Sequence, residues 1–272
     1  MGLKLAPLMI AGVFILYQFM TAERFKNPET GRVQRVAFSP AQEETLGLQA
    51  FQEVLSQSDV IESGPAAEMV RRVATKIASQ TGKAAEDFNW QVSVVKSDQI
   101  NAFCLPGGKI VVYTGILPVA ESEAGLATVI GHEVAHAVAR HGAQRVFQNQ
   151  VVQTAMAGAS YSLSDMDSGQ RQTIMGLLGA GAQYGVLLPF GRDHESEADK
   201  MGLLYMARAG YDPRESIGFW ERMGNAAGSR QQPPEFMSTH PSHGTRIRDL
   251  QEFMPKAVEE YEKAGGKRGE VR

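Results

Sequence analysis

The sequence predicts an α+β protein, mainly helical, with a small β-sheet beside one buried helix near the middle of the chain. Three observations lead there. Residues 123–140 are apolar almost all round, with Leu126, Val129, Ile130, Val134 and Val138 among them, which is the pattern of a helix without a solvent face. Residues 90–95 and 109–114 are β-branched and short, so each reads as a strand. Residues 144–185 are rich in Ala, Gly, Met and Leu, broken once by the polar run 162–169, and read as two helices joined by a loop.

The elements follow in order. Residues 5–22 carry no charge and are strongly apolar, a run of about 18 residues that just suffices to cross a ~30 Å hydrocarbon core. No small-residue cleavage pattern follows, so residues 1–22 read as an uncleaved membrane anchor or signal segment. Residues 23–39, with Pro28 and Gly31, read as a linker. Ser39 and Pro40 have helix-start chemistry and predict a helix to about Ser56, and a second covers 65–80, where Met69, Val70, Val73 and Ile77 fall at helical spacing. Pro106, Gly107 and Gly108 turn the chain between 101–105 and the second strand. An exposed edge of this sheet could pair with an extended peptide through main-chain hydrogen bonds. Small residues such as Ala155, Ala157 and Gly158 permit close helix contact. The acidic start of 192–205 opens another helix, and 256–272 reads as a polar tail after a domain spanning 40–255.

Composition narrows the function. With 43% hydrophobic and 21% charged residues the chain is globular rather than disordered. A net charge of -3 and no sustained basic run exclude nucleic acid as a partner. Cys104 is the single cysteine, so the chain has no disulfide framework of its own.

Chemistry enters with His132-Glu133-x-x-His136. On an α-helix, residues four apart differ in direction by only about 40°, so both imidazoles leave one face a turn apart and can hold one metal ion. Glu133 stands to the side, placed to act as general base toward a water on that metal. The bland alternative is a buried helix with three polar residues, and desolvating them without partners is costly. Two imidazoles leave zinc short of ligands, and the best third candidate is Glu195. Asp199, one turn further on the same face, can accept a hydrogen bond from the outer nitrogen of a ligand histidine; small Ala198 and Gly202 suit a close helix crossing. A metzincin would need Gly at 139 and His at 142; the chain has Ala139 and Gly142.

Together, His132-Glu133-x-x-His136, Glu195-x-x-Ala198-Asp199, His240-Pro241 and Arg246, with Asn101-Ala102-Phe103 and Pro106-Gly107-Gly108 upstream, resemble the membrane-associated gluzincin metallopeptidases. That family includes the CAAX prenyl protease and HtpX-like and BepA-like proteases. The resemblance implies a zincin-like fold, one Zn2+ per chain held by His132, His136 and Glu195, Glu133 as catalytic base, and peptide-bond hydrolysis. It further implies His240 near the metal, as transition-state stabiliser or resting fourth ligand with His243 a rival, Arg246 supporting the site, and Asn101, Ala102 and Phe103 at the substrate edge. The expected substrates are misfolded or membrane-associated proteins. A membrane-tethered, chaperone-like client-binding protein with a latched zinc site is the alternative. Charge counting across the apolar segment keeps the body in the cytoplasm; the resemblance instead implies the bacterial inner membrane, with the catalytic domain periplasmic.

Overall fold

A computed structural model describes residues 4–182, 188–228, 234–240 and 244–266. The chain forms two compact units, Met1–Ser39 with Arg140–His194 and Pro40–Ala139 with Glu195–Arg272.

In the second unit, the sheet expected before the buried helix is three-stranded, β3 (Gln91–Val95), β5 (Lys109–Tyr113) and β4 (Ala102–Leu105) in that spatial order. β3 runs parallel and β4 antiparallel to β5, with Ala102 opposite Val112 and Cys104 opposite Ile110. The turn between β4 and β5 depends on Gly108, whose φ is +83° and whose Cβ would meet the Trp90 ring at 2.7 Å. One sheet face packs on α2 (Pro40–Ser56) through Phe51, Val95 and Val111. The other joins the main core, where α3 (Pro65–Ala78) contributes Val70, Val73 and Ile77.

α5 (Glu123–Val138) lies in that core, with Leu126, Val129, Ile130 and Val134 fully buried. The Ser122 side chain caps it by accepting from the Gly125 N–H at 3.0 Å. Arg140, in the left-handed region at φ 56°, separates it from the next helix. After α4 (Leu117–Ala120) and α5, the Glu195–Arg208 part of α8 (Leu188–Arg208), α9 (Glu215–Gly228), α10 (Glu235–Thr239) and α11 (Arg246–Lys263) complete the unit. Part of the stretch read as a polar tail is therefore helix: its Ala257 is buried.

In the first unit, α1 (Leu5–Thr21) lies along α6 (His141–Ser162), and α7 (Ser168–Ala182) follows. Gly158 makes the α1 contact possible, because a Cβ there would come 2.5 Å from the Ala11 Cβ. The stretch read as a linker carries an antiparallel hairpin, β1 (Glu23–Lys26) with β2 (Val33–Val36), turning through Gly31 at φ +73°. Two of its eight strand residues are arginines, one is lysine and one glutamate, which hid the strands from an apolar pattern. Among the described residues no helix is long and apolar enough to cross a membrane.

Candidate metal centre

His132 and His136 project from one face of α5 with their Nε2 atoms 3.1 Å apart. Glu195 faces them from α8, its Oε2 3.3 Å from His132 Nε2 and its Oε1 3.4 Å from His136 Nε2. His240, just after α10, brings Nδ1 to 3.1 Å from Glu195 Oε1. These four side chains each offer a ligand atom within 4.8 Å of every other. A tetrahedron of zinc ligands with bonds of about 2.0–2.1 Å has edges of about 3.3 Å. The donor set fits a zinc ion in type, spacing and charge.

A close helix crossing makes this possible. A Cβ on Gly202 would lie 2.8 Å from the His132 backbone nitrogen, and one on Gly131 would lie 3.0 Å from the Gly202 carbonyl oxygen. Only hydrogen fits at either position, so α8 carries its carboxylates directly against the histidine face.

The outer contacts hold the donors. His132 Nδ1 lies 2.9 Å from Asp199 Oδ1. Arg246 bridges two acids, donating from Nε to Asp199 Oδ2 at 2.8 Å and from Nη2 to Glu195 Oε2 at 2.9 Å. Its guanidinium stacks 3.9 Å over the Trp220 ring, which also meets His132 edge to face. Arg246 is 1% exposed, so it supports Glu195 and Asp199 without reaching bulk solvent.

This packing shifts the acid–base equilibria. Burial works against charge on His132, but hydrogen bonds from its ring to Asp199 and Glu195 outweigh it and push the imidazole up to about 9. Burial would likewise raise Glu195 and Asp199; the histidines around Glu195, and Arg246 beside Asp199, instead hold both well below the usual carboxylate range. Glu133 moves the other way. It is buried, and desolvation raises it despite the facing His240 and a backbone hydrogen bond from Cys104. Among the described residues its Oε1 has no hydrogen-bond partner, and it stands 3.5 Å from His240 Nε2.

The structure thus brings together His132, Glu133, His136, Glu195, Asp199, His240 and Arg246. Ala102 and Phe103 lie in β4 at the sheet edge, with Asn101 just before it, its carbonyl accepting from Tyr113 N–H at 3.1 Å. Ala102 is buried, whereas Asn101 and Phe103 are half-buried. Pro241 and His243 lie outside the described residues. His141 stacks on His194, ring centres 4.2 Å apart. Trp220 and Phe236 escaped the sequence reading, since single aromatics in apolar helical segments look like ordinary core.

Comparison with known proteins decides the family. The family described as Peptidase family M48 matches residues 65–254. The chain belongs to peptidase family M48. The M48 match covers every residue of the donor set, and it bears out the gluzincin resemblance and the zincin-like, mainly helical fold.

Among named relatives, the mitochondrial metalloendopeptidase OMA1 of Schizosaccharomyces pombe is 38% identical over 79% of this chain and 62% of its own. The zebrafish (Danio rerio) metalloendopeptidase OMA1, mitochondrial, is 34% identical over 91% of this chain and 54% of its own. The β-barrel assembly-enhancing protease of Escherichia coli is 25% identical over 82% of this chain and 46% of its own. The chain therefore spans about half to three-fifths of the length of these relatives. The expected bacterial inner-membrane location with a periplasmic catalytic domain is corrected by these similarities. The relatives of higher identity are named as mitochondrial, and flanking charges and motif likeness had no power to tell the two membranes apart.

Proposed function

We propose that this chain is a zinc-dependent metalloendopeptidase that hydrolyses peptide bonds of misfolded or membrane-associated proteins in quality control. The observation that carries the reading is one largely buried constellation, in which three imidazoles and a carboxylate converge beside a second carboxylate, Glu133, whose Oε1 is buried with no hydrogen-bond partner among the described residues. Membership of the M48 family and the metalloendopeptidase names of its relatives support it.

His132, His136 and Glu195 would hold the zinc, with His240 within reach as a fourth ligand or as a donor to the developing oxyanion. Bound there, zinc supplies Lewis acidity toward a water and a substrate carbonyl. Glu133 takes the proton from the attacking water and returns it to the departing amine; its raised pKa suits a group that must both accept and release it. Asp199 fixes the tautomer of His132 from the far side, and Arg246 holds Asp199 and Glu195 in register. The substrate runs extended along β4, where Asn101, Ala102 and Phe103 form the edge. The exposed apolar surface of α1 is the membrane-attachment segment.

Zinc content and cleavage of an unfolded protein such as casein, measured for wild type and Glu133→Gln, test the reading. One zinc per chain in both, with cleavage reduced by about 10²–10⁴-fold only in the variant, is the expected result. One zinc with cleavage in neither would favour the client-holding alternative, and full turnover by Glu133→Gln would remove the base assignment.

A further inference from the structure

The hairpin unit carries a feature that peptide hydrolysis leaves unused. A cavity of about 680 Å³ opens beside the C-terminal end of α1, and Arg24, Arg32 and Arg35 stand in its lining. Its walls are apolar, with Phe19 from α1 and Phe147 and Val151 from α6. Two of the arginines are placed against each other: Arg24 and Arg35 are direct partners across the β1–β2 ladder. Like charges directly opposite each other in a sheet are destabilising unless an anion is shared between them.

Neither arginine is paired with an acid among the described residues. Arg35 donates to the Ala22 carbonyl at 2.7 Å, a neutral acceptor, and Arg24 makes no hydrogen bond or ion pair among the described residues. The nearby acid Glu23 is taken by Arg140 at 2.7 Å. Gln34 adds a buried amide nitrogen, Nε2, with no acceptor, in the same lining.

The neighbourhood says what kind of anion suits the site. α1 exposes Val13, Leu16, Tyr17 and Met20, at 69%, 60%, 59% and 74% of their surface, and it ends at Thr21, shortly before β1 begins at Glu23 and brings in Arg24. A cavity with cationic groups on an apolar floor, at the end of an exposed apolar helix, matches an amphiphile with an anionic head and hydrocarbon tails. A free inorganic anion has no use for the phenylalanine and valine walls. We infer that the Arg24–Arg32–Arg35 cavity binds the phosphodiester headgroup of an anionic phospholipid, with its chains along Phe19, Phe147 and Val151.

Vesicle flotation of the full chain tests this, comparing phosphatidylcholine vesicles with mixed phosphatidylcholine–phosphatidylglycerol vesicles. Wild type should bind the mixed vesicles more tightly. Arg24→Gln with Arg35→Gln should weaken that binding by about 25-fold, at about five-fold per arginine, and leave binding to pure phosphatidylcholine unchanged. Arg248→Gln with Lys263→Gln lowers the net charge equally at exposed positions of the other unit and should bind like wild type. The inference is overturned if the Arg24/Arg35 variant floats like wild type, or if the control weakens equally, which would mean net charge alone. Competition by inorganic phosphate at the concentration of lipid phosphate would identify a free-anion site instead and overturn it too. If the glutamine variant melts earlier than wild type, Arg24→Lys with Arg35→Lys decides: a retained preference for mixed vesicles supports the inference and a lost one ends it.

Discussion

A guanidinium buried to 1% exposure must find its counter-charges inside the protein, and Arg246 finds two, Asp199 and Glu195. The three groups form one unit: the arginine keeps both carboxylates ionised, and the carboxylates keep the arginine satisfied. Arg246→Met preserves much of the stem that packs on Trp220 but leaves two buried acids without their cation. It should lower the stability of the metal-free chain by about 3–5 kcal/mol, read by denaturant unfolding, and weaken zinc binding through loss of a fixed Glu195. An unfolding midpoint within error of wild type would show that the bridge contributes nothing net. This role was legible only by resemblance. An arginine at the start of an amphipathic helix, 47 residues beyond its partner Asp199, gives no local sign of its contacts. His132, Glu133 and His136 were legible directly, because a fixed helical spacing places them whatever the rest of the fold does.

At the scale of elements, the site is a crossing of α5 and α8 more than it is any one motif. Gly131 and Gly202 meet backbone to backbone, and that contact sets the distance at which Glu195 and Asp199 present themselves to His132. Gly202→Ala gains helix propensity but places a methyl within 2.8 Å of the His132 nitrogen, so the helices must part. The expected outcome is a loss of about 1–3 kcal/mol, as for overpacking elsewhere, with zinc affinity falling by more than in Gly142→Ala, whose Cβ would meet nothing within 4 Å. Isothermal titration of zinc into both variants makes the comparison; equal affinities would show that the crossing distance does not govern the donor set. The small residues Ala198 and Gly202 had signalled this crossing in the sequence. The β1–β2 hairpin gave no such signal, because its residues are charged and its pairing is local to a unit whose other strands of chain lie more than a hundred residues away. α9 and α11 also went unassigned: their roles come from packing around Trp220 and Arg246, which no short window of sequence reveals.

For the whole molecule, metal, protons and folding draw on the same buried groups, so they must be linked. In the metal-free chain the His132 pKa is raised from 6.5 to about 9. A raised pKa contributes stability that is fully present below the unfolded value and is lost as pH climbs through the folded one. The metal-free chain should therefore lose stability between pH 6.5 and 9. Glu195 and Asp199 run in the opposite sense: their depressed values contribute stability above the ordinary carboxylate range that disappears on acidification. Zinc needs the imidazole neutral, so the proton that stabilises the empty site competes with the metal, and zinc affinity should rise across the same window in which the metal-free chain weakens. Ligand linkage adds about 4 kcal/mol at a zinc concentration a thousand times the dissociation constant. Unfolding curves recorded from pH 6 to 9, with saturating zinc and after chelation, should accordingly diverge as pH rises, the chelated protein melting earlier at each step and the zinc-loaded protein holding its midpoint. A gap that stays constant with pH would mean that His132 is not the proton acceptor at this site, and a chelated protein that gains stability toward pH 9 would reverse the sign assigned to the Asp199–His132 contact.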